Sequence, residues 1–316
     1  MRCFGPVPSR RLGRSLGINN IPPKICTYAC VYCQQGFSSY MQAQRQAFYD
    51  PEELFQEVKE KVGLALSRGE QIDYLTIVPD GEPTLDINLG RLIERLQSLE
   101  FKVAVITNSS LMGRDDVMRE LAEADLVSVK VDAVNENIWR KVNHPLKQLD
   151  LEEIQKGLLQ FSRQFKGQLL SETMLIRDVN EDLEELEAVA RFISQLSPSV
   201  AYLSIPTRPP AQKWVKPPQE GPINQAYQIF KQYVPQVEYL IGFEGSDFAF
   251  SGDIESDILS TCSVHPMRQD AVRELLSRAQ QDWEVVEKMI AEEKLVEMQF
   301  DGQKFYMRKL YEGYRR

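Results

Sequence analysis

Three cysteines stand within eight residues, in the segment Cys26-Thr-Tyr-Ala-Cys30-Val-Tyr-Cys33. Thiolates are soft ligands that suit iron–sulfur clusters, zinc or copper(I), so the segment reads as a compact metal-binding loop. A structural zinc site calls for four protein ligands, commonly as two separated pairs. With five cysteines and two histidines in the chain, a fourth ligand would have to be Cys3, Cys262, His144 or His265, all remote in sequence. A cluster held by three cysteines instead leaves one iron open to bind something else, which is what a catalytic cluster needs. The spacing alone leaves cluster, zinc and coincidence open.

A second landmark is Val78-Pro-Asp80-Gly81-Glu82-Pro83-Thr84-Leu85. Taken alone it is a strand-ending turn, because Asp-Gly and Pro are turn formers. Thr107-Asn108-Ser109 ends another apolar run. In Ser128-Val-Lys130-Val-Asp132 the alternation of a strand puts Ser128, Lys130 and Asp132 on one face. Polar residues at alternate positions of an apolar strand either face solvent or line a cavity, and helices on both sides favour the cavity. Arg208, in Ile205-Pro-Thr-Arg208, ends a later strand and either meets a carboxylate or lies on the surface.

The elements around these landmarks alternate. The first 24 residues, rich in Gly, Pro and Arg, read as loop around one short strand near Leu16 to Asn19. Asp50 is placed as an N-cap, with Pro51 in the first helical position and Glu53 three residues past the cap. Leu54, Val58, Val62 and Ala65 give that helix one apolar stripe. Strands follow at 74–78, 102–107, 126–132, 169–176, 200–205 and 237–241, separated by helices at 89–99, 116–123, 151–165, 182–196 and 222–233. Strands alternating with helices of this length call for a mainly parallel sheet in an α/β fold. The pattern fits a doubly wound sheet, an open barrel or a closed one.

After residue 250 the pattern changes. A short helix at 251–260, a second opened by Pro266, a third capped by Asp282 and a hairpin turning at Asp301-Gly302 suggest a winged-helix module over 251–316. Its charges are balanced, ten basic against ten acidic from Thr261 to Arg316, whereas a phosphate backbone calls for a basic excess. No tight DNA binding is expected of it. A neutral module of this kind suits either a peptide-holding role or a cap on the barrel.

The net charge of -9 disfavours non-specific attraction to nucleic acid or to an anionic membrane. No apolar run is long enough to span a bilayer and no secretory signal opens the chain, which suggests a cytoplasmic protein. From Met1 to Tyr49 there is no acidic residue, while Arg2, Arg10, Arg11, Arg14, Lys24 and Arg45 are present. Such a segment suits an anionic cluster and an anionic ligand, or else a solvated basic face.

The Cys-x-x-x-Cys-x-x-Cys spacing, with aromatic Tyr32 just before the last cysteine, resembles the signature of the radical SAM superfamily. The resemblance implies a partial (β/α)6 barrel over 1–250 and a 4Fe–4S cluster bound through Cys26, Cys30 and Cys33. S-adenosylmethionine would chelate the remaining iron and be cleaved reductively to a 5′-deoxyadenosyl radical. It further implies Tyr32 beside the adenine and Gly81 and Glu82 at the methionine amino group, with Asp80 departing from a usual glycine. Asn108, with Ser109 another departure from glycine, would follow the third strand, and Ser128, Lys130 and Asp132 would meet ribose hydroxyls. His144-Pro145, Glu172 to Ile176 and Asn180 fall where the family places further contacts. Within the superfamily these motifs are similar to the tRNA 4-demethylwyosine synthase group over roughly residues 14–210. That likeness suggests an RNA base as substrate, with a peptide or small molecule as alternatives and flavodoxin or ferredoxin as electron donor. The wyosine enzymes carry further N-terminal cysteines for a second cluster, and only Cys3 stands there in this chain. A non-enzymatic, zinc-stabilised binding protein is the competing class.

Overall fold

The computed structural model describes residues 2–36, 38, 40–241, 252–264 and 266–309. Six strand–helix units are wound in sequence order. They are β2 (Gly13–Ile18) with α1 (Pro51–Ser67), β5 (Tyr74–Ile77) with α2 (Leu89–Gln97), and β6 (Lys102–Thr107) with α3 (Asp115–Leu121). Then follow β7 (Leu126–Lys130) with α4 (Glu136–Asn143) and α5 (Leu151–Gln164), β8 (Gln168–Met174) with α6 (Leu183–Leu196), and β9 (Val200–Ser204) with α7 (Glu220–Tyr233). A seventh parallel strand, β10 (Val237–Leu240), ends the run, and β1 (Cys3–Ser9) pairs antiparallel with β2 at the other edge. The order β1-β2-β5-β6-β7-β8-β9-β10 never reverses among the parallel strands, so the sheet is a curled partial barrel and not doubly wound.

Both faces of such a sheet are buried, which explains why its strands read as nearly continuous apolar runs. Val103, Val105, Val127, Val129 and Leu203 face the helices. Ala104, Leu126, Leu170, Tyr202 and Leu240 pack with Leu12 on the inner side. The helix stripes arise as the spacing predicts: Asp50 accepts from the Glu52 amide at 2.8 Å, and Leu54, Val58, Val62 and Ala65 are buried.

Two elements of the barrel differ from the sequence expectation. The first 24 residues hold a β-hairpin, not a single strand in loop. Gly5, Pro6 and Pro8 are compatible with β1 because it is an edge strand with a register irregularity between Phe4 and Val7. Gly17 is what allows the Phe4 ring to cross β2, since a Cβ there would stand 2.0 Å from Phe4 Cζ. The second is α4, which the strand–helix count passed over although Asn135 caps it, accepting from Asn137 N and Ile138 N.

The tail comprises α8 (Ile254–Val264), β11 (Met267–Arg268), α9 (Gln269–Arg278), α10 (Glu284–Ala291), β12 (Leu295–Phe300) and β13 (Gln303–Arg308). Its antiparallel sheet has the order β11-β13-β12, a winged-helix-like arrangement, and Trp283, not Asp282, is the residue before α10. The expected boundary between residues 250 and 251 lies outside the described residues. Phe4 and Val7 of β1 belong to the same buried cluster as Ile258, Val272, Leu275 and Tyr306 of the tail, with Val78 packed against it. Among the described residues no helix is long and apolar enough to cross a membrane.

Candidate active site

The cysteine segment spans β3 (Ile25–Cys26) and the turns before β4 (Tyr40–Met41), which pairs parallel with β3. Cys33 N donates to Cys30 O at 3.0 Å and Gly36 N to Cys33 O at 3.1 Å, folding the loop tightly. The C-terminal end of α4 holds it from outside. Val31 N donates to Val142 O at 2.9 Å, and Ala29 N to Asn143 O at 3.1 Å. Trp139 stands edge-on to Tyr28 with centroids 5.9 Å apart and donates through Nε1 to its hydroxyl at 3.2 Å.

Two of the three sulfurs accept hydrogen bonds from side-chain amides, and Cys33 accepts from the Gln35 backbone. Asn108 Nδ2 donates to Cys26 Sγ and Asn143 Nδ2 to Cys30 Sγ, each at 3.4 Å. Burial raises the pKa of all three thiols, that of Cys30 to about 12, with the neighbouring Asp132 adding to it there. Burial thus keeps the free thiols protonated, and a bound metal would favour their thiolate form.

Gly81 lies against this loop. A Cβ on it would stand 2.0 Å from the Ile25 carbonyl oxygen, so glycine is required where the two segments meet. Glu82 is fully buried behind that contact and does not line the cavity. Its Oε1 accepts from Thr107 Oγ1 at 2.6 Å and from Thr84 Oγ1 at 2.6 Å, and its Oε2 from Asn108 N at 2.8 Å. Burial raises its pKa against these bonds. Glu82 thus ties the turn at Thr84 to the end of β6 and fixes Asn108. Ser109, in place of a glycine, adopts the left-handed region with φ 69°, and its hydroxyl accepts from Lys130 N at 3.0 Å. Asp80 is buried at the cavity wall; its burial, opposed by Lys24 and by Arg308 of β13, raises its pKa to about 8.

Of Ser128, Lys130 and Asp132, only Lys130 lines the cavity. β7 ends at Lys130, so strand alternation no longer governs Asp132. Its Oδ2 accepts from the Tyr32 hydroxyl and from Asn143 Nδ2 at 2.7 Å, and its Oδ1 from Met174 N at 2.9 Å. Ser128 is buried one layer deeper, with its hydroxyl unpaired. Lys130 Nζ lies 4.9 Å from the Tyr32 ring centroid and 3.0 Å from Glu172 Oε1. Burial opposes its charge, but Glu172 and Asp132 outweigh burial and raise its pKa. Glu172 also accepts from Ser204 Oγ at 3.0 Å and pairs with Arg11. Burial would raise its pKa; Lys130 and Arg11 bring it down to about 2.

Cys26, Cys30, Cys33, Tyr32, Gly81, Asn108 and Lys130 thus border one cavity of about 370 Å³. Arg10, Arg11 and Lys24 of the acid-free N-terminal segment line it too, and so does Arg208, which donates to Gln34 Oε1 at 2.8 Å. The rest of that segment is structural: Arg2 pairs with Glu57, Arg14 with Glu70, and buried Arg45 with Asp116 and Glu120. Cys3 and Cys262 sit in apolar packing away from the cavity, and burial raises each thiol to about 12. His144 caps α4 in a left-handed conformation and is exposed on the far side of the cysteine loop, while His265 lies outside the described residues.

Asn143 and Arg11 were not singled out as site residues from the sequence. Asn143 immediately precedes His144-Pro145, and the Asn135 cap of α4 was the available signal. Three sulfurs on one loop with amide donors beside them form a soft donor set that fits an iron–sulfur cluster. Among the described residues no three Cys, His, Asp or Glu side chains converge as a single-ion site.

The family pattern of the radical SAM superfamily matches residues 20–193. A UPF0026 protein of Methanocaldococcus jannaschii is 45% identical over 310 residues, covering 98% of this chain and 96% of that one. The solved structure of TYW1 with a lysine–pyruvate adduct bound superposes with a TM-score of 0.54 at 18% identity, over 70% of this chain and 74% of the other. A radical SAM methyltransferase from Sphaerobacter thermophilus gives 0.55 at 18% identity, over 72% and 67%. The chain belongs to the radical SAM superfamily and, within it, to the UPF0026 proteins. It is accordingly an enzyme whose cofactors are a 4Fe–4S cluster and S-adenosylmethionine.

Proposed function

We propose that Cys26, Cys30 and Cys33 bind three irons of the cluster and leave the fourth to the amino and carboxylate groups of S-adenosylmethionine. The observation that carries this reading is the arrival of all three cysteines at one cavity, beside Tyr32, Gly81, Asn108 and Lys130. When bound, the two cofactors supply a 5′-deoxyadenosyl radical that takes a hydrogen atom from the substrate. The protein supplies binding, orientation and exclusion of side reactions. Tyr32 flanks the adenine and Lys130 faces the ribose hydroxyls. Asp132 acts through the Tyr32 hydroxyl and Asn143 that it anchors, and Glu82 through the Asn108 amide that it holds. Ser128 supports this wall from the layer beneath.

Residues 1–250 form the catalytic domain in this reading, and 251–316 the winged-helix-like domain packed against β1. One electron enters from flavodoxin or ferredoxin, in a reducing cytoplasm. On substrate, the motif likeness to the 4-demethylwyosine synthase group puts an RNA base first, and the cationic residues lining the cavity favour an anionic molecule.

Anaerobically reconstituted protein, reduced with dithionite in the presence of S-adenosylmethionine, should release 5′-deoxyadenosine, and Cys30→Ala should abolish the release. Unchanged release from that variant would remove the cysteine motif from the chemistry. Titration of bulk tRNA at several salt concentrations tests the RNA reading: affinity should fall steeply with salt, and a weak, flat response would turn the reading to a peptide or small molecule.

A further inference from the structure

The inner wall of the barrel carries an ionic set that the cofactor reading does not use in full. The turn between β1 and β2 folds into the open side of the barrel, where Arg10 Nη1 donates to Ile241 O at 2.7 Å and Leu12 joins the inner apolar layer. Between them Arg11 reaches Glu172. Glu172 therefore has two cationic partners, Arg11 and Lys130, and is 8% exposed in its side chain. Asp132, the other carboxylate that acts on Lys130, already accepts from Tyr32 and Asn143, so Glu172 is shared between both cations, and a buried charge without a full counter-charge is costly. Arg11 Nε, moreover, is buried without a hydrogen-bond partner although Arg11 lines the cavity. An orphaned guanidinium donor is the kind of group that a planar or tetrahedral oxyanion satisfies. The lining as a whole leans the same way: Arg10, Arg11, Lys24, Lys130 and Arg208 outnumber its acidic members, Asp80 and Glu172.

We propose that Arg11, held by Glu172 on the barrel wall, receives an anionic oxygen group of the substrate, a carboxylate or a phosphate. The inference rests on the cofactor reading in one respect only, that the carboxylate of S-adenosylmethionine is taken up at the cysteine end. Glu172 is the internal placeholder: it keeps the two cations in the cavity wall and competes with the incoming anion.

The test is calorimetric titration of the anaerobically reconstituted holoenzyme, saturated with S-adenosylmethionine, with inorganic phosphate and separately with pyruvate. At least one anion should bind. Arg11→Gln should weaken it by about tenfold or more, the loss expected for a hydrogen bond to a charged group. Glu172→Gln, which removes the competitor, should tighten it. Opposite signs from two neighbouring substitutions cannot come from poor folding. Binding of phosphate alone would identify a phosphorylated substrate, and binding of pyruvate alone a carboxylic acid. The proposal is overturned if neither anion binds, if Arg11→Gln binds as the unaltered protein does, or if either anion competes with S-adenosylmethionine. Iron and sulfide content and cofactor binding, measured on the same samples, report a failure of the cluster reading separately, and the titration reads Arg11 in metal-free protein too.

Discussion

Inside the barrel, Arg11, Lys130, Asp132 and Glu172 are enclosed as charged groups, whereas the packed cluster of the tail is apolar, from Ile258 through Val272 and Leu275 to Met289. The tail carries exposed ion pairs, Lys288 and Lys294 with Glu255 and Lys309 with Glu293, while its Asp257 is covered and pairs with Lys61 of α1. Exposed pairs contribute little to stability, so the tail rests mainly on its apolar cluster. Buried ions are a different matter, since they cost desolvation that their mutual attraction only partly offsets. The barrel holds such groups at its cavity wall, in Lys130, Glu172 and Arg11. The cysteines divide the same way. Three border the cavity with side-chain or backbone amides donating to their sulfurs, and two, Cys3 and Cys262, act as small apolar side chains.

Cys30→Ala against Cys262→Ala breaks or sharpens that contrast most strongly. The first should lose bound iron and all 5′-deoxyadenosine release. The second should keep both and lose only about 0.5–3 kcal/mol of stability, the usual range for a buried substitution. Iron loss in Cys262→Ala would erase the distinction. Next in size is Phe4→Ala. Because Phe4 belongs to the tail's cluster while standing on the barrel's edge strand, its truncation should cost about 3–5 kcal/mol, read from the urea midpoint. A cost below about 1 kcal/mol would mean that the tail does not depend on β1 for its packing.

Asn143→Ala removes the donor to Cys30 Sγ and to Asp132 while leaving the three thiols in place. Groups that orient metal ligands in this way are worth about 10–100-fold in activity, and the loss of a hydrogen bond to sulfur should also move the cluster's reduction potential. Retained iron with a shifted potential would mark Asn143 as a positioning residue; an unchanged potential would make it a packing residue only. A further expected effect is a pH dependence of the cluster-free protein. The folded-state pKa of Asp80 rises from 3.8 to about 8, so the fold favours its neutral form. Relative stability is highest below the unfolded value, falls as the pH rises towards about 8, and levels off above it. Asp80→Asn should flatten that decline between pH 5 and about 8 in thermal unfolding, and an unaltered profile would contradict the assignment.

The order of parallel strands, the helices from α1 to α7 apart from α4, and the tail's helices and hairpin were legible because each repeats a period of two or 3.6 over enough residues. The curl into a partial barrel was not in that pattern; it came from the resemblance carried by the cysteine motif. β1 escaped because Gly5, Pro6 and Pro8 mask an edge strand, and α4 because eight residues give the helical period little room. At the site, the cysteines and Lys130 were readable from spacing and alternation. Alternation misplaced Asp132, since the strand stops before it. The pairing of Arg11 with Glu172 joins residues 161 apart, and no local pattern announces a contact made only when the hairpin turns into the barrel.

The central claim, that three cysteines leave one iron open for a sulfonium compound, is tested most directly by Mössbauer spectroscopy of protein reconstituted with isotopically enriched iron. On addition of S-adenosylmethionine one iron of the cluster should change its spectrum while its three partners stay as they were. Four irons that ignore the addition, or colourless protein holding a single zinc in a site filled by side chains, would contradict the account.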